Sequence, residues 1–143
     1  MRQYAKIFYG GDIMEDYMLI SGEEDIELFL EKTNHLHDGY VISTSYKNDG
    51  VEMTEGGYDF YFDKSHLTLQ ILVTSLQDTI VELVFDRVYE WRLCGGEREI
   101  LDSYISFDVN GGVIFTDEEY DGLEPCGDIF VSAAKMSWRI IEL

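Results

Sequence analysis

Two periods divide this chain. Between Gly22 and His35 the apolar side chains recur every three or four residues. Ile26, Phe29, Leu30 and Leu36 keep to one stripe, with Glu27 and Glu31 off it, which is the pattern of an amphipathic helix. Ser21 followed three residues later by Glu24 is a capping-box spacing. Glu23 and Asp25 suit the positive end of the helix dipole, and Gly39 supplies the stop.

From Tyr40 onward the period falls to two. YVISTSYK (40–47) sets Tyr40, Ile42, Thr44 and Tyr46 on one face and Val41, Ser43 and Ser45 on the other. HLTLQILV (66–73) turns Leu67, Leu69, Ile71 and Val73 inward, and the long run 79–93 does the same with Val81, Leu83 and Phe85. Strands are also expected at 4–9, at 58–62, on either side of Asn110-Gly111-Gly112, and over 129–143 with a bulge near Ala133-Ala134. Residues 12–19, DIMEDYML, are too short to assign by pattern. The pattern therefore predicts a mainly β (α+β) protein. It is an antiparallel sandwich or rolled sheet or barrel of about seven to nine strands, with one N-terminal amphipathic helix.

The 143 residues form one expected domain, 1–143, and a 45% apolar composition is enough for a core. The N-terminus has no apolar leader segment and no apolar run approaches a membrane span, so a cytoplasmic protein is the default expectation. Cys94 and Cys126 form no CxxC pair and are expected as buried, reduced thiols.

Charge changes the picture most. Ten Lys and Arg against 29 Asp and Glu leave a formal net charge of −19, and the acids come in blocks. No basic residue interrupts the stretch between Lys6 and Lys32, and none falls between Arg98 and Lys135. Such a surface repels nucleic acid and anionic membranes and favours a basic protein or cations. The acids first in line to meet a basic partner are Glu23, Glu24, Asp25 and Glu27, and the loop acids Asp117, Glu118, Glu119 and Asp121.

Candidate chemistry is sparse. His35, His37 and Asp38 crowd into NHLHDG, and with His66 they supply the nitrogen and oxygen ligands of a divalent cation site. Against that, residues two apart at a helix end do not share a face, and a dipole-facing histidine followed by a turn explains the same letters. DEEYDGLEPCGD (117–128) places Asp117, Glu119, Asp121, Gly122 and Asp128 at EF-hand-like positions, but Glu124 and Pro125 break the pattern. RVYEWRLCGGER (87–98) interleaves bases with aromatics but is interrupted by Glu90 and Glu97. No GxSxG elbow and no glycine-rich phosphate loop opening a helix is present, and no cofactor is implied.

The order HDGYVISTSY, LTLQILV, IVELVFDRVYEW and AAKMSWRI resembles small uncharacterised bacterial β-rich proteins. Some of these are similar to immunity proteins of polymorphic toxin systems, which bind and block a toxin domain. The resemblance spans roughly residues 33–140 and transfers no functional residues. It implies a non-enzymatic, cytoplasmic β-rich protein. The leading expectation is an acidic protein-interaction domain, immunity- or inhibitor-like, with a basic protein partner. The alternative is a divalent-cation-dependent hydrolase or cation-binding protein using His35, His37 and Asp38.

Overall fold

The computed structural model describes residues 4–9, 12–94 and 99–141. The turns expected at Gly10-Gly11 and Gly95-Gly96, and Glu97, lie outside them. Ten strands and one α-helix follow in order: β1 (Tyr4–Tyr9), β2 (Asp12–Leu19), α1 (Glu23–Thr33), β3 (Gly39–Asn48), β4 (Val51–Thr54), β5 (Gly57–Phe60), β6 (Ser65–Val73), β7 (Thr79–Leu93), β8 (Tyr104–Phe107), β9 (Val113–Thr116) and β10 (Ile129–Ile141). The 12–19 segment is a strand because it pairs with β1 along its length and with β10 at its end.

Among the described residues eight strands make one antiparallel sheet. Six run in the order β1-β2-β10-β7-β6-β3, β9 pairs with β10 and β8 with β9, while β4 and β5 pair separately. The sheet is not closed into a barrel among the described residues. Strand β10 is its spine. One edge pairs with β7 from Ile129 to Ile141, while the other is shared by β9 (Phe130–Ala133) and β2 (Ser137–Trp138). The register of β10 on β7 slips between Ser132 and Ala133, at the bulge expected from the sequence. Ser132 pairs with Glu90 and Ala133 with Val88, so the extra residue at the slip is Tyr89 of β7. Ile129, Val131, Ala133, Met136 and Trp138 of β10 all belong to the core.

The core lies between one face of this sheet and α1. Leu67, Leu69, Ile71 and Val73 of β6 meet Val81, Leu83 and Phe85 of β7, as their alternation dictates. Ile26 and Phe29 close it from above, and the Phe29 ring stands edge-on to Trp138 at 5.2 Å between centroids.

Three local readings shift. The cap position of α1 is Gly22, one residue later than a Ser21–Glu24 box requires, and it makes no side-chain cap bond. The Ser21 amide and hydroxyl both donate to Asp25 Oδ2, at 3.0 and 2.9 Å. The helix ends at the left-handed Asn34, five residues before Gly39. Gly39 is needed for space, because a Cβ there would sit 2.6 Å from the Leu36 carbonyl oxygen. In β3 a bulge leaves Ile42 between the pairs Val41↔Ile71 and Ser43↔Gln70. Val41 therefore joins Thr44 and Tyr46 on the core side, and Ile42 turns to solvent.

The β3–β6 ribbon does not stop where the sheet does. Past Asn48↔Ser65 the Asp49 amide donates to the Lys64 carbonyl at 3.0 Å and the Tyr61 amide to the Gly50 carbonyl at 2.7 Å, and β4 and β5 then continue the ladder from Val51↔Phe60. Gly50 permits this junction, since a Cβ would lie 2.1 Å from the Tyr61 carbonyl oxygen. β7 parts from β6 after His66↔Asp86, so β4 and β5 form an arm on which every residue is exposed.

Core and arm are expected to respond in opposite ways. Leu69→Ala should cost about 2–5 kcal/mol, whereas Met53→Ala on the arm should stay within about 0.5 kcal/mol of wild type. Urea unfolding of the two variants checks this contrast.

Candidate functional site

The NHLHDG segment folds as a backbone crossroads. Asn34, His35, Leu36 and Asp38 all take left-handed φ values of 51°, 58°, 56° and 59°, a conformation that costs non-glycine residues energy. Distant groups hold it there. Ser103 Oγ donates to the His35 carbonyl at 2.8 Å, Ser75 Oγ to the His37 carbonyl at 2.5 Å, and the Thr74 amide and hydroxyl to the Asp38 carbonyl at 3.1 and 2.9 Å. Leu36, wholly buried between the two histidines, anchors the segment in the core.

The histidine rings point outward to separate partners. His35 Nδ1 lies 3.0 Å from Asp102 Oδ1. His37 Nδ1 donates to the Leu101 carbonyl at 2.8 Å, and its Nε2 lies 3.4 Å from Asp38 Oδ1. That carbonyl bond and the Asp38 charge raise the His37 pKa, so its proton is held more tightly than usual. A metal ligand needs the opposite, a neutral imidazole with a free lone pair. Glu99, nearby, has its pKa raised first by a hydrogen bond shared with Asp38.

His66 is elsewhere. It stands seven residues from Val73, the partner of Gly39, about 23 Å along an extended strand. There its Nδ1 meets Asp86 Oδ1 at 2.6 Å and its Nε2 meets Asp49 Oδ2 at 3.6 Å. The four proposed ligands thus do not converge. Among the described residues no three His, Cys, Asp or Glu side chains are grouped to hold a metal ion.

The acidic candidates lie on opposite faces of the sheet. Glu23, Glu24 and Glu27 are exposed on α1, over the core face. The 117–128 loop covers the other face, where the Tyr120 ring packs on Phe130 at 5.6 Å. Two of its carboxylates, Asp117 and Asp121, accept bonds from the loop's own backbone amides. Asp117 Oδ1 accepts from the Asp128 and Ile129 amides at 2.9 and 3.0 Å, and Asp121 Oδ1 from the Leu123 amide at 2.8 Å. Glu118 and Glu119 remain exposed.

The cysteines depart from expectation. Both are free, with Cys94 exposed and Cys126 only half-buried, because they fall at a strand end and in a loop. Burial and the carboxylates of Glu118, Asp121 and Asp117 push the Cys126 thiol up, away from nucleophilic reactivity.

Two features were not legible as sites in the sequence. One is the arm. Its register sets Val51 opposite Phe60 and Met53 opposite Tyr58 on one face, and Glu52 opposite Asp59 on the other. The apolar face is open to solvent, with Met53 80% exposed, and Tyr61 and Phe62, which follow β5, are exposed as well.

The other is a polar cluster on the sheet face away from α1. Glu82 is 4% exposed and receives bonds from the Tyr17 hydroxyl, from Gln70 Nε2 at 2.9 Å and from Arg139 Nη2 at 3.3 Å. The Arg139 guanidinium also stacks over the Tyr17 ring at 4.7 Å. Burial pulls the Glu82 pKa up, but the donations from Tyr17 and Gln70 and the Arg139 charge outweigh it. Its carboxyl is left below the usual range.

Compared with known proteins, the chain matches no family model, no curated protein and no solved structure. No helix among the described residues is long and apolar enough to cross a membrane.

Two titrations follow from these environments. A depressed carboxyl contributes stability that is present above its unfolded value, about 4.3, and is lost as pH falls through the folded value. Urea midpoints measured at stepped pH should therefore drop more steeply across that acid window in wild type than in Glu82→Gln. Histidine ring NMR should place the His37 midpoint above the ordinary 6.5, and a midpoint at or below it contradicts the Leu101 and Asp38 contacts.

Proposed function

We propose that the protein is a non-enzymatic, acidic interaction domain that binds a basic protein, in the manner of an inhibitor, with the β4–β5 arm as its principal contact. One observation carries this reading: an exposed hairpin with apolar side chains on one face and acids on the other. A two-stranded hairpin is marginal in water unless something covers its apolar face, and exposed apolar patches mark interaction surfaces.

Charge selects the partner. Five carboxylates, Asp49, Glu52, Glu55, Asp59 and Asp63, fall between Lys47 and Lys64 with no base among them. Glu52 and Asp59 face each other across the ladder, an arrangement that destabilises the free hairpin. A lysine or arginine from a partner relieves that repulsion. A second copy of the chain brings another −19 and deepens it. Glu23, Glu24, Asp25 and Glu27 on α1, and Asp117, Glu118, Glu119 and Asp121 in the loop, act at longer range by steering a basic partner during encounter. Attraction of this kind raises association rates, which suits an inhibitor that must capture its target early.

Native mass spectrometry of the untagged chain drawn from its own cell lysate tests the reading. Wild type is expected to carry a basic protein at fixed stoichiometry, and Tyr58→Ser/Phe60→Ser to lose it while keeping its urea midpoint. No basic companion on wild type, or an undiminished one on the arm variant, overturns it.

A further inference from the structure

The sheet face away from α1 carries a second feature, independent of the arm. Period-two alternation brings three cross-strand rows onto this face. The first runs Ser43, Gln70, Glu82, Arg139 and reaches Tyr17 on β2. The next runs Ser45, Thr68, Val84, Ser137, and the third Lys47, His66, Asp86, Lys135. Short side chains in the middle row, flanked by longer ones, leave a trough. Where the first two rows meet, it widens into a hollow of about 290 Å³, at the small end of the range for ligand sites.

The groups in the hollow define what fits. Glu82 and Arg139 neutralise each other, Tyr17 and Gln70 donate to the carboxylate and the guanidinium stacks on Tyr17. A charged ligand would therefore gain little there and would compete with the existing pair. Glu82 can only accept, so Gln70 turns its NH₂ toward it and presents its amide oxygen on the other side as an acceptor. Among the described residues the hydroxyls of Ser43, Ser45 and Thr68, which line the hollow, bond to no protein group. In the same row as Thr68, Ser137 is 1% exposed and its Oγ has no hydrogen-bond partner, an unusual sacrifice in a folded protein. A buried ion pair is a poor way to gain stability. Its position at the wall of a hydroxyl-lined hollow fits a site built to hold a ligand in one orientation.

We propose that this hollow binds a neutral, polyhydroxylated molecule of the size of one sugar ring. The Ser43, Ser45 and Thr68 hydroxyls and the Gln70 amide oxygen make the hydrogen bonds. The Glu82–Arg139 pair serves as a rigid wall.

Titration of the full chain with free glucose, galactose, mannose and ribose, followed by amide NMR, tests this. At least one sugar is expected to give saturable shifts at Ser43, Ser45, Thr68 and Gln70. Thr68→Val and Ser45→Ala keep shape and remove one hydroxyl each, and each should weaken that binding by about threefold to tenfold, the range for one hydrogen bond. Met53→Asp on the arm should leave it unchanged. The proposal is overturned if none of the four sugars gives saturable shifts at these residues. Equal affinity in both hydroxyl variants, with their spectra still folded, overturns it too.

Discussion

The ladder between β7 and β10 is the constraint on which the rest depends. It runs the whole length of β10, and every other layer is placed by it. β2 and β9 divide the free edge of β10, β6 takes the free edge of β7, and β3 follows β6. The side chains of these two strands supply both faces of the molecule. Leu83, Phe85, Met136 and Trp138 face α1, while Glu82 and Arg139 face the opposite side. Because successive side chains alternate, one ladder sets the hydrophobic core and the polar trough together. A slip of one residue would exchange them.

Departures from regular pairing matter as much as the pairing. The slip between β10 and β7 leaves Tyr89 of β7 as the extra residue, and the bulge in β3 sends Ile42 out while bringing Val41 in. The left-handed residues of the 34–38 segment, all but His37, persist because loops at 74–75 and 100–103 bond its carbonyls. His35 and His37 are thereby carried to the surface as by-products of a tight turn, which accounts for their separate partners.

Function, in this reading, sits where the fold leaves work undone. The core face is covered by α1 and needs nothing more. The arm exposes an apolar face beside repelling carboxylates, and the trough holds hydroxyls with no protein partner. The trough lies on paired strands of the main sheet, a rigid support, while the arm continues the β3–β6 ribbon beyond that sheet.

Much of the architecture was legible in one dimension. Alternation in 66–73 and 79–93 identified the two central strands and their buried sides. The 3.6 period identified α1, and the Ala133-Ala134 region identified a bulge. These follow from local geometry, since side-chain direction in a strand or helix depends only on position along it. The strand–bulge switch at Ile42, the end of α1 at Asn34 and the exposure of Cys94 were not legible, because each is decided by a partner far away in the chain. The same holds for sites. The sequence by itself determined the acidic charge and placed His35, His37 and Asp38 close together. Only the tertiary structure decided that His66 lies apart from them and that β4–β5 projects beyond the sheet. It also decided that Tyr17, Gln70, Glu82 and Arg139, from four strands, meet at one hollow, because register between strands is a long-range property that no window of sequence contains.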